Sequence, residues 1–221
     1  MTETMTLPPE LPREASFLRR LFISLKALSV LKDEAANPGL AWLLHTAMDD
    51  GTYEQLATTL KAELAGDFAS RPTVPGDKTL EELATYPEGT LGQVFSGYFR
   101  KNGIFPFTHR FPVQSDADFL YKRYRETHDI HHMITGYAID EFGEIEIQAF
   151  YIGNLGLRHA RLIVTFGLPY LFIQQRSVRK VVRRLVAAWK RGKQSRNVLT
   201  LPYAEMWNVP ISELSARYLA A

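Results

Sequence analysis

Along most of this 221-residue chain the hydrophobic positions recur every three to four residues, the period of helices that bury one face. Phe17, Leu18, Leu21, Phe22, Leu25 and Leu28 predict an amphipathic helix over residues 15–36, stopped by Asn37-Pro38-Gly39. Helices over about 38–48 and 53–64 follow, the second opened by the turn Asp49-Asp50-Gly51-Thr52. Residues 66–89 are dense in Pro, Gly and Thr and read as a connecting loop around a short turn at 80–84. Residues 90–101 are helical again, with Leu91, Val94, Phe95, Tyr98 and Phe99 on one side, and 103–112 form a second connector rich in proline and aromatic residues.

Ser115-Asp116 then supplies a helix start, and Phe119, Leu120, Tyr124, His128 and His132 share a face that continues to about Thr135, where Gly136 breaks it. Phe142, Ile145, Ala149 and Ile152 predict a further helix from near Asp140 past Phe150, although Ile145-Glu146-Ile147 also suits a strand. After Gly153 and Gly156 comes an apolar run at 162–173, with a kink expected at Pro169. A basic amphipathic helix is expected over about 174–193, and Pro210 opens a short terminal helix. The expectation is a mainly α, bundle-like fold: a flexible segment at 1–14, then a single helical domain over 15–221.

Composition changes this picture in three ways. A hydrophobic content of 46% in 221 residues suffices for one sizeable core. The chain has no cysteine, so any metal must be held by nitrogen and oxygen ligands. The net charge of +2 and the lack of a recognisable binding motif argue against nucleic acid. Residues 176–196 nevertheless hold nine Lys and Arg and no acid, a local basic face.

The start, MTETMTLPPELPREASF, has acids and prolines where a signal or transit peptide has neither, and the run at 162–173 is too short to span a bilayer. The expected location is the cytoplasm, with a peripheral place on the inner face of the cytoplasmic membrane. There the basic helix would rest on anionic lipid and the 162–173 run would line a groove. For both segments the ordinary reading ranks first: a buried core helix for the apolar run, and a solvated face on a core helix for the basic segment.

The chemistry concentrates in RETHDIHHMITGYAIDEFGEIEIQAF, residues 125–150. His128 and His132 stand one turn apart on one helical face, the spacing with which two imidazoles share an ion. Asp129 flanks that face as a third ligand or as an acceptor that orients an imidazole. Glu144 is twelve residues beyond His132, about 18 Å along a straight helix, but a turn at Thr135-Gly136-Tyr137 can bring it back. His131 points away and reads as a surface residue or as a support behind the ligands. Spacing alone fits a solvated face carrying three histidines equally well.

Here the sequence resembles a known family, the fourth-numbered protein of coenzyme Q biosynthesis, whose hallmark is His-Asp, two residues, His, eleven residues, Glu. This chain matches it at His128, Asp129, His132 and Glu144, with Gly143 before the glutamate. Tyr86-Pro-Glu-Gly-Thr-Leu-Gly92 is similar to the family's upstream segment, and Arg123-Tyr-Arg-Glu126 to its lead into the histidines.

The resemblance implies a helical protein of ubiquinone synthesis in which those four residues hold a divalent metal, Zn²⁺ first, with Fe²⁺ or Mn²⁺ as alternatives, between two helices. It implies oxidative decarboxylation at ring carbon 1 of a polyprenyl-hydroxybenzoate precursor. The alternative is a non-enzymatic, metal-stabilised scaffold that binds prenyl lipid intermediates and organises the other enzymes of the pathway. A homodimer is compatible with either. A nucleotide phosphohydrolase of the His-Asp type is disfavoured, because His45 and His109 fall in no recognisable arrangement upstream.

Overall fold

Helices form wherever the described chain has both a buried face and local signals that start and stop it. A computed structural model describes residues 51–64, 76, 78–103 and 113–220. The predicted segment at 1–14, the helices at 15–36 and 38–48, His45, His109 and most of the 103–112 connector lie outside the described residues. The helices are α1 (Thr52–Leu64), α2 (Leu80–Ala84), α3 (Leu91–Asn102), α4 (Asp116–Thr135), α5 (Glu141–Asn154), α6 (Arg158–Gln175), α7 (Val178–Gln194) and α8 (Ile211–Tyr218). Two short 3₁₀ turns, Val198–Thr200 and Tyr203–Glu205, link α7 to α8. Among the described residues there is no strand, only an isolated bridge between Thr90 and Pro210.

Capping explains the sharpest boundaries. Thr79 and Glu82 cap each other's backbone N–H groups at α2, so the predicted short turn is a helix stabilised by a reciprocal box. Ser115 accepts from the Asp118 N–H at the start of α4, and Gly136, in the left-handed conformation at φ 73°, ends it. Asp140 then accepts from the Gly143 N–H at 2.7 Å and starts α5. The first N–H groups of α3 are met from far along the chain, by the carbonyls of Val209 and Trp207.

The core has two parts that meet on α5. Ile147, Phe150 and Tyr151 face the larger cluster, with Tyr53, Leu91, Phe95, Leu120, Ile130 and Trp207. Phe142, Ile145 and Ala149 face the smaller one, with Leu171, Val181, Leu185 and Ala188 from α6 and α7. A helix buried on both sides carries apolar residues all round, so its amphipathic period blurs. That is why Ile145-Glu146-Ile147 also reads as a strand; even Glu146 is buried, held by a bidentate Arg184 whose guanidinium lies 3.8 Å from the centre of the Phe142 ring.

The helix expected from near Asp140 past Phe150 runs through Gly153 to Asn154; a Cβ on Gly153 would stand 2.1 Å from the Trp189 carbonyl oxygen, so the glycine serves the close crossing of α5 and α7. Two expectations need correction. The basic helix starts at Val178, not near 174, because α6 continues through Pro169 to Gln175 and ends where Arg176 turns left-handed at φ 50°. The 162–173 run is not a buried core helix either. Val164, Leu168, Leu171 and Phe172 pack inward, whereas Phe166, Tyr170 and Ile173 are exposed, because the helix is apolar on two faces and neighbours cover one.

Candidate metal centre

The turn over residues 136–140 reverses the chain, so α5 returns beside α4 with Glu144 in its first turn. Gly143 makes that return tight: a Cβ on it would lie 1.9 Å from the Ala138 carbonyl oxygen. His128 and His132, one turn apart on α4, face the carboxylate from the other side.

The three side chains gather closely. The two Nε2 atoms are 3.3 Å apart, Glu144 Oε1 is 3.2 Å from His132 Nε2, and Glu144 Oε2 is 3.5 Å from His128 Nε2. Donors about 2.0–2.1 Å from a tetrahedral ion stand about 3.3–3.4 Å apart, so these spacings fit the edges of such a site. The donor set, two imidazoles and a carboxylate, also suits Zn²⁺, Fe²⁺ or Mn²⁺.

Ring orientation points the same way. His132 Nδ1 lies 3.0 Å from the Tyr137 carbonyl oxygen, which only accepts, so the neutral ring carries its proton on Nδ1 and turns the bare Nε2 to the site. Tyr137 belongs to the same turn that returns Glu144, so one backbone feature places the glutamate and sets this histidine's tautomer.

The electrostatics describe a coupled cluster. Burial pushes the Glu144 carboxyl up, but hydrogen bonds and charge from His128 and His132 outweigh it and hold the group well below the usual carboxylate range. Burial pulls His132 down, yet Glu144, the Tyr137 carbonyl and Asp129 together raise it. His132 is nearly inaccessible, while 44% of the Glu144 side chain is exposed, so the site opens on the glutamate side.

Of the four residues expected from sequence, the structure brings three together: among the described residues, His128, His132 and Glu144 form the group that could hold a metal ion, with one ligand atom from each within 4.8 Å of the others. Asp129 stands beside this group, near enough for its charge to act on both His132 and Tyr98 of α3. The Tyr98 phenol is pushed up to about 12 by burial first, then by the charges of Asp129 and Glu144.

Of the two readings of His131, surface residue or support behind the ligands, the structure fits the second: it is fully buried and its Nδ1 lies 2.8 Å from the Tyr151 hydroxyl. That hydroxyl is also 3.1 Å from His128 Nδ1. Tyr151 went unnoticed in the sequence, although it stands seven residues after Glu144, two turns along the same face of α5. Tyr98 was noticed only as an apolar position.

Comparison with known proteins gives a consistent result. The model of the family described as coenzyme Q (ubiquinone) biosynthesis protein Coq4 matches residues 41–219. The mitochondrial ubiquinone biosynthesis protein COQ4 of Coprinopsis cinerea is 26% identical over 196 residues, covering 86% of this chain and 63% of that protein. The Laccaria bicolor protein of the same name is 31% identical over 63% of this chain and 48% of its own length, and the rat COQ4 homolog 29% identical over 61% and 52%. The chain thus spans less than two thirds of these relatives. A crystal structure of a candidate ubiquinone biosynthesis protein from Nostoc punctiforme superimposes with a TM-score of 0.74 at 22% identity, covering 90% of this chain and 95% of the other, which supports the fold.

Proposed function

The chain belongs to the coenzyme Q (ubiquinone) biosynthesis protein Coq4 family, and on that premise we propose that it acts in ubiquinone synthesis as a divalent-metal-dependent catalyst of oxidative decarboxylation at ring carbon 1 of a polyprenyl-hydroxybenzoate. In that net reaction the bond from ring carbon 1 to the carboxyl carbon breaks and CO₂ leaves. A carbon–oxygen bond forms in its place with the oxygen of a water molecule, and dioxygen takes the two electrons and two protons released, leaving as hydrogen peroxide. The observation that carries the reading is the convergence of His128, His132 and Glu144 at tetrahedral spacing on the open side of α4 and α5. Zn²⁺ is the first candidate, with Fe²⁺ and Mn²⁺ as alternatives; bound there, it supplies a Lewis acid for the ring carboxylate or its neighbouring hydroxyl.

The chain's own residues divide the remaining work. His132, fixed by the Tyr137 carbonyl, presents a bare Nε2, and His128 places its Nε2 3.3 Å away; Glu144 supplies the anionic oxygen. Asp129 is the fourth member of the proposed set, adding negative charge beside His132 and engaging Tyr98. Three direct ligands leave a tetrahedral ion one position for a substrate oxygen.

The apolar tail of such a substrate needs a path to a lipid phase. Phe166, Tyr170 and Ile173 on α6 and Val178, Val182, Val186 and Trp189 on α7 are exposed at helical spacing, beside Arg179, Lys180, Arg183 and Lys190. We assign this face to an anionic membrane surface, with the protein held peripherally on the cytoplasmic side; among the described residues no helix is long and apolar enough to cross a membrane. Mixing purified metal-loaded protein with a prenylated 4-hydroxybenzoate in vesicles under air tests the activity. Mass spectrometry should show loss of CO₂ and gain of ring oxygen, absent in Glu144→Ala; an unchanged substrate with wild type refutes catalysis by this chain alone.

A second reading has its own observation. The ligands come from two helices joined by one turn, so a bound ion cross-links α4 to α5, which favours a scaffold that presents lipid intermediates to partner enzymes. It predicts that metal removal lowers the melting temperature and releases partners together, with no turnover by the isolated protein.

A further inference from the structure

Behind the metal-facing side of α4 lies a second, fully buried group of polar atoms. The Tyr151 hydroxyl sits between His128 Nδ1 at 3.1 Å and His131 Nδ1 at 2.8 Å, and among the described residues it has no other hydrogen-bond partner. Tyr151 and His131 are both completely shielded from solvent. His131 Nε2 is buried without a hydrogen-bond partner among the described residues, with its ring 5.7 Å from that of Tyr203. A buried polar atom left without a partner is costly, so the arrangement requires a reason.

A hydroxyl has one hydrogen to donate, and neutral imidazole has one N–H and one bare nitrogen. If His128 Nε2 is bare and faces the site, its Nδ1 carries the proton and donates to the Tyr151 oxygen. Tyr151 must then donate its own hydrogen to His131 Nδ1, the other acceptor within reach. His131 is left with its proton on Nε2, the atom without a partner. In the reverse order, His131 donates to Tyr151 and Tyr151 to His128 Nδ1. His128 then carries its proton on Nε2, pointing at the place of the ion. One chain of two hydrogen bonds therefore sets whether His128 is a ligand.

We propose that Tyr151 and His131 are positioning residues that hold His128 in the Nδ1-protonated form that binds the metal, and so set the affinity of the site. The inference rests on the metal reading above and adds Tyr151, which sequence spacing does not reveal, as the link between His131 and the site. Each of the two histidines of the site then has its own device, the backbone carbonyl of Tyr137 for His132 and the Tyr151–His131 chain for His128. The two devices differ in kind: a carbonyl has one role, whereas a hydroxyl can reverse, so His128 is the adjustable ligand. Groups that orient a ligating imidazole change metal affinity by about 10- to 100-fold when removed.

The test is Zn²⁺ affinity by chelator competition for wild type, Tyr151→Phe and Tyr203→Phe, together with long-range ¹H–¹⁵N spectra of histidine-labelled, Zn²⁺-loaded wild type. Tyr203→Phe removes a buried hydroxyl with no hydrogen-bond partner among the described residues and controls for loss of a core oxygen. Tyr151→Phe should bind about 10- to 100-fold more weakly, with Tyr203→Phe within a factor of two of wild type. The spectra should place protons on Nδ1 of His128 and His132 and on Nε2 of His131. Equal affinity in Tyr151→Phe, or a His131 proton on Nδ1 in the loaded protein, overturns the inference and leaves the metal site standing. A wild type that binds no ion removes both. The spectra use wild type alone and decide the question even if Tyr151→Phe fails to fold.

Discussion

Burial acts on ionisable residues here in opposite directions according to their partners. His159 packs edge-on against Tyr124 at 5.6 Å and is pulled down to about 4, by burial first and then by the charges of Arg125 and His128. His131 is lowered for the same leading reason. In the unfolded chain both rings return to about 6.5. Between pH 6.5 and 4 the unfolded state then binds protons that the folded state refuses, so stability falls as pH falls through that window, by on the order of 3 kcal/mol for His159.

Glu144, lowered in the folded metal-free protein, stabilises above its unfolded value near 4.3, and that contribution is lost as pH falls through its lower folded value. His132, raised, stabilises fully below about 6.5 and loses that contribution as pH rises through its folded value. Urea titrations of the metal-free protein at pH 7 and 5 should show a marked loss for wild type and a smaller one for His159→Gln. An identical loss in both would show that His159 does not carry it.

At the scale of elements, the unit that builds the site is α4, the turn over 136–140, and α5. It is legible in sequence because its signals are local: Ser115 and Asp140 as caps, Gly136 as a stop and a complete histidine-to-glutamate spacing. Features that depend on a distant partner are not legible. The role of Gly153, the close approach of Trp189 from α7, is invisible along the chain. Along the chain His131 stays open between surface and support because a helical wheel assumes one buried side, whereas α4 also buries Arg123, Glu126, Thr127 and His131.

Gly143→Ala tests the turn. The added methyl meets the Ala138 backbone, which has no flexible end to give way, so the variant should lose about 1–3 kcal/mol and bind metal more weakly. Thermal melts and Zn²⁺ titration check this. Wild-type affinity together with wild-type stability would contradict the tight return that places Glu144.

For the whole molecule, the basic run at 176–196 has two roles. Arg184 turns inward to Glu146, and Arg191 to the carbonyls of Thr135 and Ala220, so these two hold the fold. Arg179, Lys180, Arg183 and Lys190 remain outside, beside the exposed apolar stripes of α6 and α7, including Ile173 at 79% and Val178 at 56% exposure. Sequence ranked the apolar run as buried core because the extent of neighbouring cover is set by the whole fold, whereas the basic segment does carry an exposed charged face on a helix that buries Val181, Leu185 and Ala188. Sedimentation with anionic vesicles should capture wild type, more weakly as salt rises, and Val182→Glu/Val186→Glu should bind at least about tenfold less. Equal binding of both proteins would remove this face as the membrane contact and leave pairing with a second copy as the role for its apolar stripes.

Whether His128, His132 and Glu144 hold one divalent ion can be read from elemental mass spectrometry. Wild type, His132→Ala and Glu144→Ala are each offered Zn²⁺, Fe²⁺ and Mn²⁺ and then desalted. Wild type should retain close to one ion per chain and both variants should lose it, with the fold retained by circular dichroism. A folded wild type that retains no more metal than the variants would contradict it, leaving the cluster as a hydrogen-bonded His–Glu–His contact between two helices.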